Sequence, residues 1–145
     1  MKIKDCMCNN VIWATPETTV IDCAKTMRDW HIGSMPVCNE NKNIVGFVTD
    51  RDILLRAVAC DKNLNTTKLS DIMTTKVCCC QSNNDVENAT TIMSDNQVRR
   101  LPVIENDKIV GILTLKDLVN NENVSSSTVA TTFENICECN HRNAE

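Results

Sequence analysis

The sequence carries two copies of a short polar motif and one pair of adjacent arginines that could bind a small ligand. Thr49 with Asp52 and Thr114 with Asp117 each form a Thr-x-x-Asp motif. Before an apolar run this motif is typical of a helix capping box, which needs no ligand, although free N–H groups at a helix start also favour anions. The Arg99-Arg100 pair suits bidentate contact with phosphate, but adjacent strand residues point to opposite faces, so a solvated strand entry is the alternative.

Cysteine and histidine offer two other chemistries, and their spacing favours neither. The ten cysteines include Cys6-x-Cys8, Cys78 to Cys80 and Cys137-x-Cys139-x-His141, and none has the gap of about two to four residues common in zinc sites. We therefore predict no metal site. A nucleophile pair of His31 and a cysteine would need a third orienting group, which the sequence does not reveal. We predict no catalytic residue and no enzyme.

Composition and charge restrict the class of protein. The chain has 145 residues, 42% hydrophobic but only 3% aromatic, so its core must rest on aliphatic residues, methionine and cysteine. A net charge of -4 without a long block of either sign argues against nucleic acid as a partner. No apolar stretch approaches a membrane span, and the start lacks the apolar region of a signal peptide. These features predict a cytoplasmic protein, without a membrane partner, whose cysteines are thiols.

The sequence repeats itself at an offset of 66, which becomes 65 after one residue is lost in a turn. Pro36-Val37 aligns with Pro102-Val103, and Gly46 aligns with Gly111. The chain has only three Gly and three Pro, and two of each fall in register. Because these residues mark special backbone positions, the two halves, copy 1 and copy 2, must share one backbone plan. The register also extends upstream, where residues 5–8 align with residues 71–74.

Each copy predicts the order strand, helix, strand, strand, helix. For copy 1 we predict a strand at Val11–Trp13 and then a helix with Val20, Cys23, Ala24 and Met27 on one face. Thr18 or Thr19 would cap this helix. A hairpin of Met35–Cys38 with Ile44–Thr49 and a helix from about Arg51 to Cys60 follow. For copy 2 we predict a helix with Val86, Ala89, Thr90 and Met93 on one face and Asp85 as cap, a hairpin of Leu101–Ile104 with Ile109–Thr114, and a helix at Lys116–Val119. Val129, Phe133 and Ile136 predict a closing amphipathic helix.

Taken in order, these residues resemble a known family. Asp-Ile-Met-Thr, an apolar-Pro-Val strand and Ile-Val-Gly-x-x-Thr-x-x-Asp, occurring twice over residues 5–119, are similar to the CBS domain pair, or Bateman module. The resemblance implies an α+β fold of two tandem βαββα repeats whose sheets pack about a pseudo-twofold axis. It places repeat 1 at residues 5–60, a linker at 61–70, repeat 2 at 71–119, and a polar linker with a possible amphipathic helix at 120–145.

The resemblance also implies a function. It predicts a stand-alone regulatory module, with no cofactor, that binds an adenosine-type nucleotide (AMP, ATP, NAD or S-adenosylmethionine) as a regulatory ligand in the cleft between the repeats. Asp117 and Thr114 would hold the ribose and Arg99 or Arg100 the phosphate, with Thr49 and Asp52 as weaker counterparts in copy 1. Met35 and Leu101 complete the predicted ligand-binding set.

Two expectations about partners remain. The exposed apolar residues Leu54, Leu55 and Val58 predict an interface, and the family implies a homodimer. The alternative function is a ligand-free interaction module that dimerises or docks on an unidentified effector protein.

Overall fold

The computed structural model describes residues 1–138, and these residues form an α+β fold of two similar halves. By its internal contacts the chain divides into two compact units. We call residues Ile12–Val77 the copy 1 unit. The copy 2 unit combines Met1–Val11 with the chain from Cys78 onward. In neither unit does a helix within residues 1–138 have the length and apolar character that crossing a bilayer requires.

The copy 1 unit is built from a helix, a hairpin and a short second helix. Helix α1 spans Val20–Trp30, and strand β1 (Ser34–Cys38) pairs antiparallel with strand β2 (Ile44–Thr49). Helix α2 spans Asp50–Ile53 and continues as a π-helical segment over Leu54–Val58. The fully buried residues of this core are aliphatic apart from one cysteine: Val20, Cys23, Val37, Val48, Ala57 and Leu69.

The copy 2 unit repeats this plan and adds a helix at its end. Strand β3 (Cys80–Gln81) pairs parallel with β4 (Arg100–Glu105), which pairs antiparallel with β5 (Lys108–Thr114). Helix α3 spans Val86–Asn96, helix α4 spans Leu115–Val119 and helix α5 spans Ser126–Cys137. The fully buried core residues are Ile3, Ala89, Met93, Leu101, Val103, Leu113 and Leu118.

The first helix of each copy forms as its apolar spacing predicts. In α1, Val20, Cys23 and Met27 are buried along one face, and the Thr19 side chain caps the helix by accepting the Asp22 N–H at 3.3 Å. Both first helices end in the left-handed conformation at a residue other than glycine, with φ of 54° at His31 and 53° at Gln97.

The predicted strand at Val11–Trp13 is wrong. Only Ala14 bridges to the sheet, where it pairs parallel with Val37. The Thr18 N–H donates to the Thr15 carbonyl at 3.1 Å, so the chain turns away directly after Ala14. In copy 2 the equivalent segment is β3, which contains only two residues. Upstream of Ala14, the Val11 N–H donates to the Asn9 carbonyl at 3.1 Å, within its own segment, and so is not available to a neighbouring strand.

Two details at the helices also differ from the predictions. Asp85 occupies the N-cap position of α3, but its side chain makes no capping hydrogen bond and instead pairs with Lys2 Nζ at 3.0 Å. In α5, Val129 and Ile136 pack against the copy 2 core as predicted, whereas Phe133 is 46% exposed and Thr132 is buried. The inward face of α5 is therefore rotated by about one position from the predicted face.

The aligned segments upstream of the two copies, residues 3–8 and 69–74, are structurally equivalent, and we call them arms. Each arm packs in the same unit as the hairpin of the other copy. The arm at residues 69–74 bridges to β2, where Phe47 and Thr74 exchange backbone hydrogen bonds of 2.8 and 2.9 Å. The arm at residues 3–8 bridges to β5, where Cys8 and Ile112 exchange bonds of 2.9 and 3.0 Å. The N-terminal arm is therefore a structural part of the copy 2 unit.

Candidate functional site

The Thr-x-x-Asp motif of copy 2 lies where β5 ends and α4 begins. Thr114 is the N-cap of α4. The Asp117 N–H donates to Thr114 Oγ1 at 3.1 Å, and the Thr114 N–H donates to Asp117 Oδ2 at 2.8 Å. The capping box predicted as the ligand-free interpretation is therefore present. It leaves acceptor positions on the Asp117 carboxylate, because an ionised carboxylate has about four lone-pair sites.

Pairing between β4 and β5 brings the two arginines next to this motif. Arg100 is the register partner of Thr114, and the Leu115 N–H donates to the Arg99 carbonyl at 2.8 Å. Arg99 is exposed and Arg100 half-buried. The two arginines therefore lie at the start of β4, level with the capping box. Lys116, which is exposed, adds a third positive charge on the first turn of α4.

Copy 1 builds the same capping box in an opposite electrostatic setting. The Asp52 N–H donates to Thr49 Oγ1 at 3.1 Å, and the Thr49 N–H donates to Asp52 Oδ2 at 3.0 Å. Ser34 is the register partner of Thr49. Beside it, the Asp50 N–H donates to the Gly33 carbonyl at 2.9 Å.

Asp50 gives the copy 1 site an acidic character that the sequence analysis missed. It aligns with Leu115 of copy 2, and Gly33 aligns with Arg99. A Cβ on Gly33 would lie 3.0 Å from Asp50 Oδ2. The place of the arginine pair is therefore taken by an uncharged Gly-Ser pair next to an extra carboxylate. Direct comparison of the two aligned motifs could have found this difference.

The other two predicted site residues belong to the cores. Met35 is 2% exposed and Leu101 fully buried. Met35 lies in the hydrophobic core of the copy 1 unit and Leu101 in that of the copy 2 unit. Met35 and Leu101 lie on β1 and β4, the strands that pair with β2 and β5, at whose ends the motifs lie.

The N-terminal arm reaches the helix that carries the copy 2 motif. The Cys6 thiol lies 3.8 Å from the Asp117 carbonyl oxygen, and Asn121 Nδ2 donates to Cys6 Sγ at 3.6 Å. Burial raises the pKa of the Cys6 thiol, the Asn121 hydrogen bond opposes this, and the Asp117 charge adds to it. Cys6 is therefore an uncharged packing residue beneath α4 at neutral pH.

The cysteines considered as metal ligands do not form a site within the described residues. Within residues 1–138, no group of three or more His, Cys, Asp or Glu side chains is placed to hold a metal ion. Cys139 and His141 lie outside the described residues. The absence of a metal site stays a prediction.

Comparison with known proteins identifies the family. The CBS domain family matches the chain twice, at residues 3–59 and 69–122. The chain therefore belongs to the CBS-domain family, and its two copies make it a CBS domain pair. The resemblance predicted from the sequence is confirmed.

Among its relatives, an uncharacterized protein of Bacillus subtilis, YlbB, is 39% identical over 118 residues, which cover 81% of this chain and 79% of YlbB. The crystal structure of Hypoxic Response Protein I with two coordinated zinc ions matches with a TM-score of 0.78 and 28% identity, over 83% of this chain and 98% of that one.

Two similar structures contain adenosine compounds. CBSX2 in complex with AMP matches with a TM-score of 0.70 and 27% identity, over 81% of this chain and 93% of that one. The CBS domain pair of protein MJ0100, in complex with 5'-methylthioadenosine and S-adenosyl-L-methionine, matches with a TM-score of 0.71 and 26% identity, over 82% and 93%. CBS pairs similar to this chain therefore bind adenosine-containing ligands.

Proposed function

We propose that this protein is a cytoplasmic regulatory module that binds an adenosine-type nucleotide through the Thr114–Asp117 motif of copy 2. The observation that carries the proposal is the β4–β5 register, which sets Arg99 and Arg100 beside that motif. AMP, ATP, NAD and S-adenosylmethionine all carry the adenosine group that the similar complexes share. The proposal contains no catalytic step and no cofactor.

The roles of the residues follow from their chemistry. The Asp117 carboxylate keeps Oδ2 on the Thr114 N–H and offers its remaining lone pairs to ribose hydroxyls, which are donors. Arg99 or Arg100 takes the phosphate, since a planar guanidinium matches phosphate oxygens. Copy 1 offers a phosphate less positive charge, because Gly33 and Ser34 stand where copy 2 has the two arginines and Asp50 stands where it has Leu115.

Titration calorimetry with AMP, ATP, NAD and S-adenosylmethionine tests this assignment. Charge-assisted hydrogen bonds are worth about 1.5–3 kcal/mol each, so Asp117→Ala should weaken binding at least about tenfold. Asp52→Ala is the matched control in copy 1 and should weaken binding much less. If no adenine compound binds at millimolar concentration, or if Asp52→Ala is the more damaging change, the assignment is wrong.

A ligand-free interaction module is the second candidate function. The observation that favours it is the π-helical segment, where Leu54, Leu55 and Val58 are 57%, 46% and 47% exposed. Large apolar residues grouped on one surface commonly mark a protein interface. Failure of every adenine compound to bind would favour this reading.

A further inference from the structure

Arg56 approaches the carboxylate that copy 1 would offer to a ribose. Its Nε lies 3.8 Å from Asp52 Oδ1. The same guanidinium donates through Nη1 to the Ile72 carbonyl at 3.0 Å and to Thr74 Oγ1 at 3.2 Å. Both partners belong to the arm at residues 69–74, so the arm and α2 hold the guanidinium between them.

Each oxygen of the Asp52 carboxylate therefore has a partner within the protein, a hydrogen bond at Oδ2 and, at Oδ1, an ion pair of 3.8 Å that is longer than a hydrogen bond. Oδ2 accepts the Thr49 N–H at 3.0 Å, and Oδ1 faces the Arg56 guanidinium. The Asp52 side chain is 17% exposed and the Arg56 side chain 49%, so the protein shields the carboxylate from water more than it shields the guanidinium. A ribose could use Oδ1 only by displacing a positive charge from it.

Copy 2 has the same connection without the charge. At the offset of 65, Arg56 aligns with Asn121, and at the offset of 66, Cys6 aligns with Ile72. Asn121 Nδ2 donates to Cys6 Sγ at 3.6 Å, as Arg56 donates to the Ile72 carbonyl. Among residues 1–138, no ion pair involves Asp117. One residue thus separates an occupied carboxylate from an open one.

We propose that Arg56 is a built-in occupant of the copy 1 site, which excludes a ribose from Asp52 and limits the protein to one nucleotide per chain. The inference rests on the proposed function, since it takes Thr-x-x-Asp as the ribose-binding motif. Arg56 acts on specificity through Asp52 and is a positioning residue. It also explains how two copies with the same capping box can differ in use.

Adenosine is the probe for this inference, because it lacks the phosphate that Asp50 would repel. Wild type should titrate with about one adenosine per chain, and Arg56→Gln with about two. In an Asp117→Ala background, which removes the copy 2 carboxylate, adding Arg56→Gln should raise adenosine affinity at least about tenfold. Glutamine keeps an amide donor for the Ile72 carbonyl while removing the charge. Arg28→Gln is the matched control, since Arg28 lies in the same unit and pairs with its neighbour Asp29.

The outcomes separate this inference from the proposed function. Two adenosines bound by wild type, or one bound by both wild type and Arg56→Gln, would overturn the role of Arg56 while leaving nucleotide binding intact. No binding by wild type but one adenosine bound by Arg56→Gln would support Arg56 and overturn the copy 2 assignment. Binding by neither protein would overturn both.

A reciprocal variant decides the matter if circular dichroism shows that Arg56→Gln does not fold. Asn121→Arg brings the copy 1 charge to the copy 2 carboxylate and should weaken adenosine binding at least about tenfold. An unchanged affinity in a folded Asn121→Arg protein would overturn the inference.

Discussion

At the residue scale, the two copies differ in the charges around one shared capping box. Arg99 and Arg100 lie beside the copy 2 motif, whereas copy 1 has Gly33 and Ser34 there and carries Asp50 inside its motif. Converting both arginines to alanine should therefore weaken AMP much more than adenosine, because only AMP carries the phosphate. The loss for AMP should be at least about tenfold, measured by titration calorimetry. Arg51→Ala removes an exposed charge beside the copy 1 motif and is the control. An equal loss for AMP and adenosine would refute the phosphate role.

The described cysteines include buried, partly buried and exposed side chains, and these differences predict their reactivity. Burial raises the pKa of Cys23 to about 11, and burial with the neighbouring Cys79 raises that of Cys80 to about 12. Because the thiolate is the nucleophile, alkylation of Cys23 by iodoacetamide at pH 8 should be roughly 100-fold slower than that of the exposed Cys60. Mass spectrometry of a labelling time course measures the rates, with urea-unfolded protein as the control. Equal rates in the folded protein would show that Cys23 is accessible.

The same shifts set a pH limit on stability. A thiol with a raised folded pKa stays neutral while its unfolded counterpart ionises, so the unfolded state binds fewer protons. The stabilisation from Cys23 and Cys80 is complete below about pH 9 and is lost as the pH rises toward their folded pKa values of about 11 and about 12.

At the element scale, each arm packs a methionine against the glycine of a hairpin strand. A Cβ on Gly46 would lie 2.4 Å from Met73 Sδ, and one on Gly111 would lie 2.5 Å from Met7 Sδ and 3.0 Å from the Cys8 carbonyl. Gly46→Ala and Gly111→Ala should each destabilise the protein by about 1–3 kcal/mol, as overpacking does. Urea unfolding measures the change.

Double variants separate the causes of that destabilisation. The three nearest atoms to a Cβ on Gly46 all belong to the Met73 side chain, so Met73→Ala should relieve the overpacking in Gly46→Ala. Met7→Ala should relieve Gly111→Ala only in part, because the Cys8 carbonyl belongs to the backbone. Full recovery of stability in both double variants would show that the contact with the Cys8 carbonyl does not contribute to the destabilisation.

The hairpins and first helices could be predicted from the sequence because Gly, Pro and apolar spacing act locally. The capping boxes, including that of Thr114 and Asp117, could be predicted for the same reason, since they depend on four consecutive residues. The absence of a strand at residues 11–13 could not be predicted, since an apolar run does not show whether its backbone pairs with a neighbouring strand or, as at Val11, bonds within its own segment. The prediction that the Asp85 side chain caps α3 was wrong, because its carboxylate pairs with Lys2, which is 83 residues away in sequence. The Arg56–Asp52 pair, by contrast, joins residues four positions apart, and helix spacing could have predicted it.

At the scale of the whole molecule, the boundaries of the two repeats in sequence do not coincide with the boundaries of the two compact units. Ile3 aligns with Leu69, and both are fully buried, each in the core of a unit whose hairpin belongs to the other copy. The family boundaries, which begin near the start of each arm, describe the repeat in sequence and not the packed unit. A fragment cut between the copies would give each hairpin the wrong arm. The whole pair is therefore the smallest piece in which both cores are complete.

The exposed apolar surface of the copy 1 unit predicts self-association. Leu54, Leu55 and Val58 lie on one short π-helical segment, and π-helical turns are frequent at functional sites. We expect a homodimer at about tens of micromolar in sedimentation velocity. Leu55→Glu should shift it to monomer, because an unpaired charge at the core of an interface must lose its water. Phe133→Glu is the matched control, since Phe133 is equally exposed at 46% but lies on α5. A monomeric wild type, or dissociation by Phe133→Glu alone, would place the interface elsewhere or remove it.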